Sequence, residues 1–303
     1  MTPQAEDRPG LINARPVRHP GRWVAVVVIA VLVAMMISSF VTNDKWNWSY
    51  TFQIMVQKPV IQGVYVGTIL GTVIAMAVGI VLGIILAIMR MSNNFVLRGV
   101  SFAYTAFFRS IPRYVLLSLF AVGIGYLYNT FQIGVPFTSI HFFTLDYQAY
   151  SSTVWIGGLA LGLSEAAYMA EIARAGILSV DKGQAEAAQA IGMSPGKTMR
   201  RIVLPQAMRV IVPPTGNETI AMVKDTSLFI AAQITLELYY QATLFGSRTF
   251  QVMSGLMAAT LWYLILCSVL MVGQSYLEKY FGRGFGAPSA KAQQKLQQVA
   301  ADH

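Results

Sequence analysis

Residues 60–89 read VIQGVYVGTILGTVIAMAVGIVLGIILAIM, thirty residues without a charged side chain. At a rise of about 1.5 Å per residue, a helix of this length exceeds the roughly 30 Å hydrocarbon core of a bilayer. Small residues recur at every fourth position: Gly63, Gly67, Gly71, Ala75, Gly79, Gly83 and Ala87. Because small side chains let helix backbones approach closely in lipid, the stretch predicts a transmembrane helix packed centrally in a bundle.

The rest of the chain is also unusually apolar. Of its 303 residues, 55% are hydrophobic and 12% are charged, and the mean hydropathy is +0.54. A soluble domain carries about 25% charged residues, so a water-soluble globule is excluded. Five further apolar stretches are of membrane-spanning length: 23–41, 100–128, 152–172, 211–234 and 252–277. The sequence therefore predicts an all-α polytopic membrane protein with six transmembrane helices.

The basic residues indicate how these spans are oriented. Sixteen of the 22 Lys and Arg residues lie in four alternate segments: 1–22, 90–98, 174–209 and 279–295. The loops on the other side hold three: Lys45, Lys58 and Arg248. Since basic residues accumulate in cytoplasmic loops, both termini and the segment 174–209 are predicted to be cytoplasmic. The net charge of +9 then reflects topology and does not indicate nucleic-acid binding.

The sequence offers no pattern for catalysis or metal binding. Its single cysteine, Cys267, lies in an apolar stretch, and the three histidines, His19, His141 and His303, are scattered. We therefore expect no disulfide within the chain, no metal site and no catalytic residue. The sequence also lacks a G-x4-GK-[ST] phosphate loop, so ATP and Mg would have to be bound by a separate chain.

The outer segment 129–151 carries no Lys or Arg and is rich in aromatic residues: Phe131, Phe137, Phe142, Phe143, Tyr147 and Tyr150. Aromatic side chains favour the headgroup level of a membrane, which makes an interfacial belt the simpler interpretation. Docking of an external protein partner is the alternative, and the sequence leaves both open.

The stretch SVDKGQAEAAQAIGMSPGKTMRRIVLPQ, residues 179–206, predicts two short helices at an angle. Asp181 is suited to cap the first helix, with a glutamine three residues on completing a capping box, and Gly192 ends it. Ser194, followed by a proline, begins the second helix, and Pro205 is expected to stop it. An ordinary solvated loop is the alternative interpretation of this composition.

The spacing within this loop follows EAA-x3-G-x9-I-x-L-P at every position: Glu186, Ala187, Ala188, Gly192, Ile202, Leu204 and Pro205. The pattern resembles the EAA loop of bacterial ABC importer permeases. Residues 166–177 (AAYMAEIARAGI), 204–214 (LPQAMRVIVPP) and 224–228 (KDTSL) are similar to permeases of the polar amino acid uptake family. The resemblance covers roughly residues 60–283.

This resemblance implies a five-helix type I ABC importer core over 60–283. The stretch 23–41 is then an extra N-terminal helix, between a cytoplasmic segment at 1–22 and a polar cytoplasmic tail at 284–303. The EAA residues would dock into a separate cytoplasmic ATPase dimer. Further expected partners are a second permease, identical or a sister chain, and an extracytoplasmic solute-binding protein. The implied function is ATP-driven import of a polar amino acid across the bacterial cytoplasmic membrane by alternating access.

Charged residues inside the apolar stretches are candidates for the substrate path. Glu165 lies about 13 residues into its span, roughly 20 Å deep, where an unpaired carboxylate is costly. Glu218, Lys224 and Asp225 lie in the fifth span. Lys224 is suited to receive an α-carboxylate, and Glu165 or Asp225 an α-ammonium. The alternative is that Lys224 neutralises an acid such as Glu165 only to hold the bundle together.

Two further features concern the same helices. Pro213 and Pro214 are expected to interrupt the fifth span and free backbone carbonyls for a cavity. Glu171 and Arg174, three residues apart near the cytoplasmic end of the fourth span, are expected to form a local ion pair.

Two other function classes account for part of the sequence. An ion-gradient-driven secondary transporter explains the spans and buried charges but leaves the EAA spacing without a role. A membrane-embedded enzyme would have to use Glu165 and its polar neighbours, but the sequence shows no nucleophile–base constellation.

Overall fold

The computed structural model describes residues 20–43, 45–135, 138 and 140–282. Most of the predicted segment 1–22, and the tail 284–303, lie outside these residues. The chain divides into two compact units, Met1–Trp46 and Asn47–His303. The described helices are α1 (Pro20–Val41), α2 (Trp48–Met55), α3 (Lys58–Gln62), α4 (Gly71–Met91), α5 (Phe95–Ser110), α6 (Arg113–Ser118), α7 (Gly125–Leu127), α8 (Tyr147–Tyr150), α9 (Val154–Leu178), α10 (Lys182–Ala190), α11 (Pro195–Thr198), α12 (Leu204–Asp225), α13 (Leu238–Arg248) and α14 (Val252–Phe281).

The first unit contains α1, whose 22 residues carry a single charge, Arg22. This helix confirms the prediction of a helix over 23–41. Its length and composition make it a candidate membrane span. Within the same unit, the rings of Phe40 and Trp46 meet edge to face at 4.4 Å.

The centre of the second unit is the contact between α4 and α9. A Cβ added at Gly71 would lie 3.5 Å from Val154 at the start of α9, and one at Gly83 would lie 3.1 Å from the Ala170 nitrogen. The two helices therefore run in the same direction. All seven small residues of the stretch 60–89 are buried, which confirms the prediction of a central packing helix.

We expect Gly71→Leu to destabilise the protein by about 1–3 kcal/mol, because overpacking a close helix contact forces the neighbours apart. Even a Cβ at Gly71 would lie 2.7 Å from the ring of the fully buried Phe229. Gly273 on α14 is a matched control, since an added Cβ there meets nothing within 4 Å. The measurement is thermal unfolding in detergent. Equal melting temperatures for Gly71→Leu and Gly273→Leu would contradict the packing role.

The main hydrophobic core lies beside this contact. Its largest fully buried members come from four segments: Leu117, Leu161, Met222 and Phe229. A second core, around Leu238, joins α2, α3 and α13 to α14. The main core packs α6, α9 and α12 against α4, and α6, α9 and α12 carry the buried charges.

The third predicted span, 100–128, is not a single straight helix. α5 ends at Ser110, α6 begins at Arg113, and the two directions differ by 101°. The residue before a proline is sterically kept out of the helical region, and Ile111 before Pro112 accordingly has an extended backbone, φ −95° and ψ 128°. This break places Arg113 at the start of a new helix.

The prolines at 205, 213 and 214 do not end helices, contrary to expectation. Residues 199–203 form a π-helical turn between α11 and α12, and α12 then runs to Asp225 with both later prolines inside it. Pro205 is the second residue of α12, which directly follows this turn. Around the other two, the Thr215 hydroxyl donates to the Ile211 carbonyl (2.8 Å), and Gln274 of α14 donates to the Pro213 carbonyl (3.2 Å).

The segment 129–151 contains two strands, β1 (Thr130–Gly134) and β2 (His141–Asp146), which pair antiparallel. The all-α prediction missed this hairpin, although aromatic and β-branched residues in both segments favour strands. Phe142 and Phe143 are exposed on β2. The predicted residue Phe137 lies outside the described residues, and the interfacial belt and the docking of an external partner stay predictions.

Three described helical segments are long and apolar enough to cross a membrane: Pro20–Val41, Lys58–Met91 and Val252–Phe281. The bent pair of Phe95–Ser110 and Arg113–Leu127 makes a fourth if it counts as one span. α9 and α12 correspond to the two remaining predicted spans and carry several charged residues each. The helical polytopic fold is confirmed, and the count of six spans stays a prediction.

Candidate functional site: a buried charge cluster and an exposed loop

One arginine joins three helices inside the second unit. Arg113, in the first turn of α6, donates from Nη2 to Oε2 of Glu165 on α9 at 2.8 Å. Its Nη1 pairs with Oδ2 of Asp225 at the end of α12. The Arg113 side chain is 15% exposed, so this double ion pair is mostly screened from solvent. We call Arg113, Glu165 and Asp225 the charge cluster.

Glu165 is the most enclosed member of the cluster, with no exposed side-chain surface. Its Cγ lies 2.7 Å from where a Cβ on Gly79 would be, so only glycine at that position leaves it room. The second carboxylate oxygen, Oε1, is buried and has no hydrogen-bond partner among the described residues. A buried carboxylate oxygen without a donor is unfavourable, and it marks a position where an incoming donor would be stabilised.

The alternative in which Lys224 neutralises Glu165 is wrong, because Glu165 pairs with Arg113. Adjacent residues on a helix point about 100° apart, so turning Asp225 toward Arg113 turns Lys224 away. Lys224 is exposed, and the structure shows no ion pair for it with any described residue. Glu218 is half-buried and lies within electrostatic reach of Glu165. Two of the four predicted path residues, Glu165 and Asp225, thus meet at one cation, and Glu218 lies close by.

An aromatic side chain forms one wall of the cluster. The Tyr168 ring, one turn beyond Glu165 on α9, lies 5.1 Å from the Arg113 guanidinium and 5.4 Å from that of Arg109. Cations are attracted to aromatic faces at such distances. Together with Arg109 and Tyr168, the cluster brings two guanidinium groups, two carboxylates and an aromatic face to one place. These groups can bind a ligand that carries both an ammonium and a carboxylate.

The loop 179–206 forms the two helices that its sequence predicts. The Asp181 carboxylate accepts from the Gly183 nitrogen at 2.6 Å and thereby caps α10. Gln184 contributes only its backbone N–H, which donates to the Asp181 carbonyl at 3.1 Å, so the predicted capping box is incomplete. Ser194 precedes α11, but its side chain makes no capping bond.

Gly192 ends the first loop helix with a φ of +85°, in the left-handed region that favours glycine. Its N–H donates to the Gln189 carbonyl at 2.9 Å, and the Met193 N–H donates to the Ala188 carbonyl at 3.0 Å. These two bonds form a Schellman motif. The predicted role of Gly192 as the turn residue is therefore confirmed.

The loop residues divide into an outward and an inward set. Glu186, Ala187, Gly192, Leu204 and Pro205 are exposed. Ala188 is buried and Ile202 is half-buried, so these two help to hold the loop on the helices. Ile191, beside Gly192, exposes 80% of its surface. An apolar side chain that protrudes from a short alanine-rich helix is a surface suited to enter a groove on another protein.

Sequence reasoning missed Arg113 and Glu237. A charge directly after a proline inside an apolar stretch was the available signal for Arg113. Glu237, fully buried, accepts from the Thr68 hydroxyl (3.0 Å), the Tyr263 hydroxyl (2.5 Å) and the Tyr239 N–H (2.7 Å). It caps α13 and ties this helix to the π-helical segment Gly63–Leu70. Glutamate is not a preferred N-cap, so residue type alone does not indicate this role.

Comparison with known proteins places these features in context. The family model described as binding-protein-dependent transport system inner membrane component matches residues 79–282. The arginine transport system permease protein ArgU of Corynebacterium glutamicum is 44% identical over 278 residues, 91% of this chain and 85% of that protein. The probable glutamine ABC transporter permease protein GlnM of Bacillus subtilis is 36% identical over 199 residues, 65% of this chain and 82% of that protein.

Solved structures give the same fold. A crystal structure of an amino acid ABC transporter with histidines superposes with a TM-score of 0.60 at 28% identity, covering 73% of this chain and 94% of that chain. An inward-facing structure of the MetNI methionine ABC transporter superposes with a TM-score of 0.56 at 17% identity, covering 74% of this chain and 94% of that chain. The second likeness bears on the fold alone.

Proposed function

Because this chain belongs to the family of binding-protein-dependent transport system inner membrane components and is similar to amino acid ABC transporter permeases, we propose that the charge cluster is its substrate path. The single observation that carries the proposal is the double ion pair of Arg113 with Glu165 and Asp225 across three helices. Buried charges in membrane helices commonly line a substrate route. The chain itself is a transporter subunit and not an enzyme.

The chemistry of the cluster fits an amino acid zwitterion. A guanidinium binds a carboxylate with two parallel hydrogen bonds, and the carboxylates of Glu165 and Asp225 accept from an ammonium. Three acidic residues lie around Arg113: its partners Glu165 and Asp225, and Glu218 close by. This surplus of negative charge favours a substrate with a cationic side chain, and an arginine permease is among the similar proteins. We therefore propose a cationic polar amino acid as the substrate, with arginine tested first.

The proposal assigns the loop 179–206 to energy coupling. Its exposed residues, Glu186, Ala187 and Gly192 among them, would dock into a cytoplasmic ATPase dimer that binds ATP and Mg. A second permease, identical or a sister chain, completes the membrane part, and an extracytoplasmic solute-binding protein delivers the substrate. Both termini and this loop lie on the cytoplasmic side in this arrangement, which follows the distribution of Lys and Arg.

The function is tested in proteoliposomes that contain this chain, its ATPase and its binding protein. We expect uptake of radiolabelled arginine to require ATP inside the vesicles and to persist when ionophores collapse the proton and sodium gradients. Uptake that continues without ATP and stops with the ionophores would establish a secondary transporter instead.

In the same vesicles, Gly192→Val is expected to reduce the amount of substrate imported per ATP hydrolysed. A β-branched residue at φ +85° is strained by about 1–2 kcal/mol, so the end of α10 and the exposed Ile191 beside it must shift. Gly196→Val is the matched control, because this loop glycine has an ordinary φ and open space around it. Wild-type coupling and ATPase association in Gly192→Val would contradict the proposed role of the turn.

A further inference from the structure

A basic cavity lies where α4 ends, α5 begins and α9 ends. Its volume is about 680 Å³, and its lining includes Arg90, Arg98 and Arg174, one arginine from each of the three helices. Arg174 follows Glu165 by nine residues on α9, so the cavity is about 14 Å further along the helix than the charge cluster. The proposed substrate path does not use it.

The positive charge in this cavity is only partly neutralised. Arg174 donates twice to Oε2 of Glu171, at 2.9 and 2.8 Å, which confirms the local ion pair predicted from the sequence. Arg90 lies 4.5 Å above the Phe102 ring and donates to the Arg98 carbonyl at 3.4 Å. The Arg98 side chain has no hydrogen-bond or ion-pair partner among the described residues. The guanidinium groups of Arg90 and Arg98 therefore have no counter-ion among the described residues, and the cavity is suited to bind an anion.

Helix length places the cavity at the expected depth of lipid headgroups. The helical segment Lys58–Met91 has 34 residues and spans about 51 Å, whereas the bilayer with its headgroups is about 40–45 Å thick. Arg90, in the last turn of this segment, therefore lies near the polar surface of the membrane. Beside it, Phe95 and Phe102 are exposed and line the cavity. An anionic group with an apolar continuation matches this combination of arginine and aromatic side chains.

We propose that this cavity binds the phosphodiester headgroup of an anionic glycerophospholipid. Guanidinium groups bind phosphate oxygens through two parallel hydrogen bonds, and basic pockets between transmembrane helices bind anionic headgroups. Arg98 and Arg90 hold the phosphate, and the acyl chains leave the cavity across Phe95 and Phe102. The bound lipid fills the space between the α4–α5 turn and the end of α9, directly before the loop 179–206.

The test uses the full chain in detergent, titrated with phosphatidylglycerol and followed by native mass spectrometry and thermal unfolding. Phosphatidylglycerol is expected to bind and to raise the melting temperature, and phosphatidylcholine is not. Arg98→Gln is expected to weaken phosphatidylglycerol binding about five-fold, equivalent to about 1 kcal/mol for one arginine. This exposed side chain has no partner to lose, so the variant is expected to fold.

Arg201→Gln removes an exposed arginine outside the cavity and is the matched control, expected to bind phosphatidylglycerol as the wild type does. Equal binding by wild type and Arg98→Gln would overturn the site. Equal binding of phosphatidylcholine and phosphatidylglycerol would overturn the anionic selectivity. Glycerol 1-phosphate that binds as tightly as phosphatidylglycerol would overturn the lipid as the source of the phosphate.

Discussion

Arg113→Met is expected to destabilise the folded chain by about 3–5 kcal/mol and to abolish uptake. The change keeps an unbranched apolar side chain but removes the cation from Glu165, which is fully enclosed, and from Asp225. Breaking a buried ion pair from one side leaves an uncompensated charge, which is the costly case. Thermal unfolding in detergent measures the stability, and ATP-driven uptake in proteoliposomes measures the function.

Two further variants test whether the unpaired Glu165 carboxylate causes the loss of stability in Arg113→Met. Arg113→Met combined with Glu165→Gln should recover part of the lost stability, because the buried group left behind is then neutral. Arg109→Met removes a nearby arginine that is exposed and contacts the Tyr168 ring, so its effect should stay near 1 kcal/mol or below. Arg113→Met with wild-type stability would show that the cluster does not hold these helices together.

Glu165→Gln is expected to leave the fold intact and to weaken the apparent affinity for transported amino acid about 10-fold to 100-fold. The amide is nearly isosteric, but it loses the charge with which Glu165 would bind a substrate ammonium. A charge-assisted hydrogen bond is worth about 1.5–3 kcal/mol, which gives this range. The measurement is the concentration dependence of uptake in proteoliposomes.

Glu171→Gln provides the matched control, because this glutamate lies on the same helix and pairs with Arg174 outside the cluster. Its uptake should stay close to that of the wild type. Adding Lys224→Met to Glu165→Gln should not restore the apparent affinity, since Glu165 and Lys224 are not partners. Glu165→Gln with wild-type affinity would remove this residue from the substrate path.

Periodicity and local signals predicted a large part of the fold. The small-residue spacing of 60–89 implies one buried helix face, and all seven positions are buried. The turn at Gly192 followed from the need for a residue that adopts positive φ after a helix. Such features are local, because a window of a few residues contains the whole physical cause.

Tertiary contacts account for what the sequence did not reveal. One such contact is at Pro213 inside α12, whose carbonyl accepts a hydrogen bond from Gln274, 61 residues later. The cation that pairs with Glu165 comes from 52 residues earlier, and several charged residues were equally plausible partners by hydropathy alone. Choosing among them needs the direction in which each side chain leaves its helix, and that direction depends on the bend at Ile111.

Residues 195–225 run from the exposed loop to Asp225 as α11, a π-helical turn and α12, with no loop between them. We expect such a segment to move largely as one rigid body. Because no loop interrupts the segment, a tilt at its loop end is expected to move the other end as well. At that end Asp225 pairs with Arg113. Under the proposed coupling role of the loop, a displacement of the loop would therefore reach the Arg113–Asp225 ion pair inside the bundle.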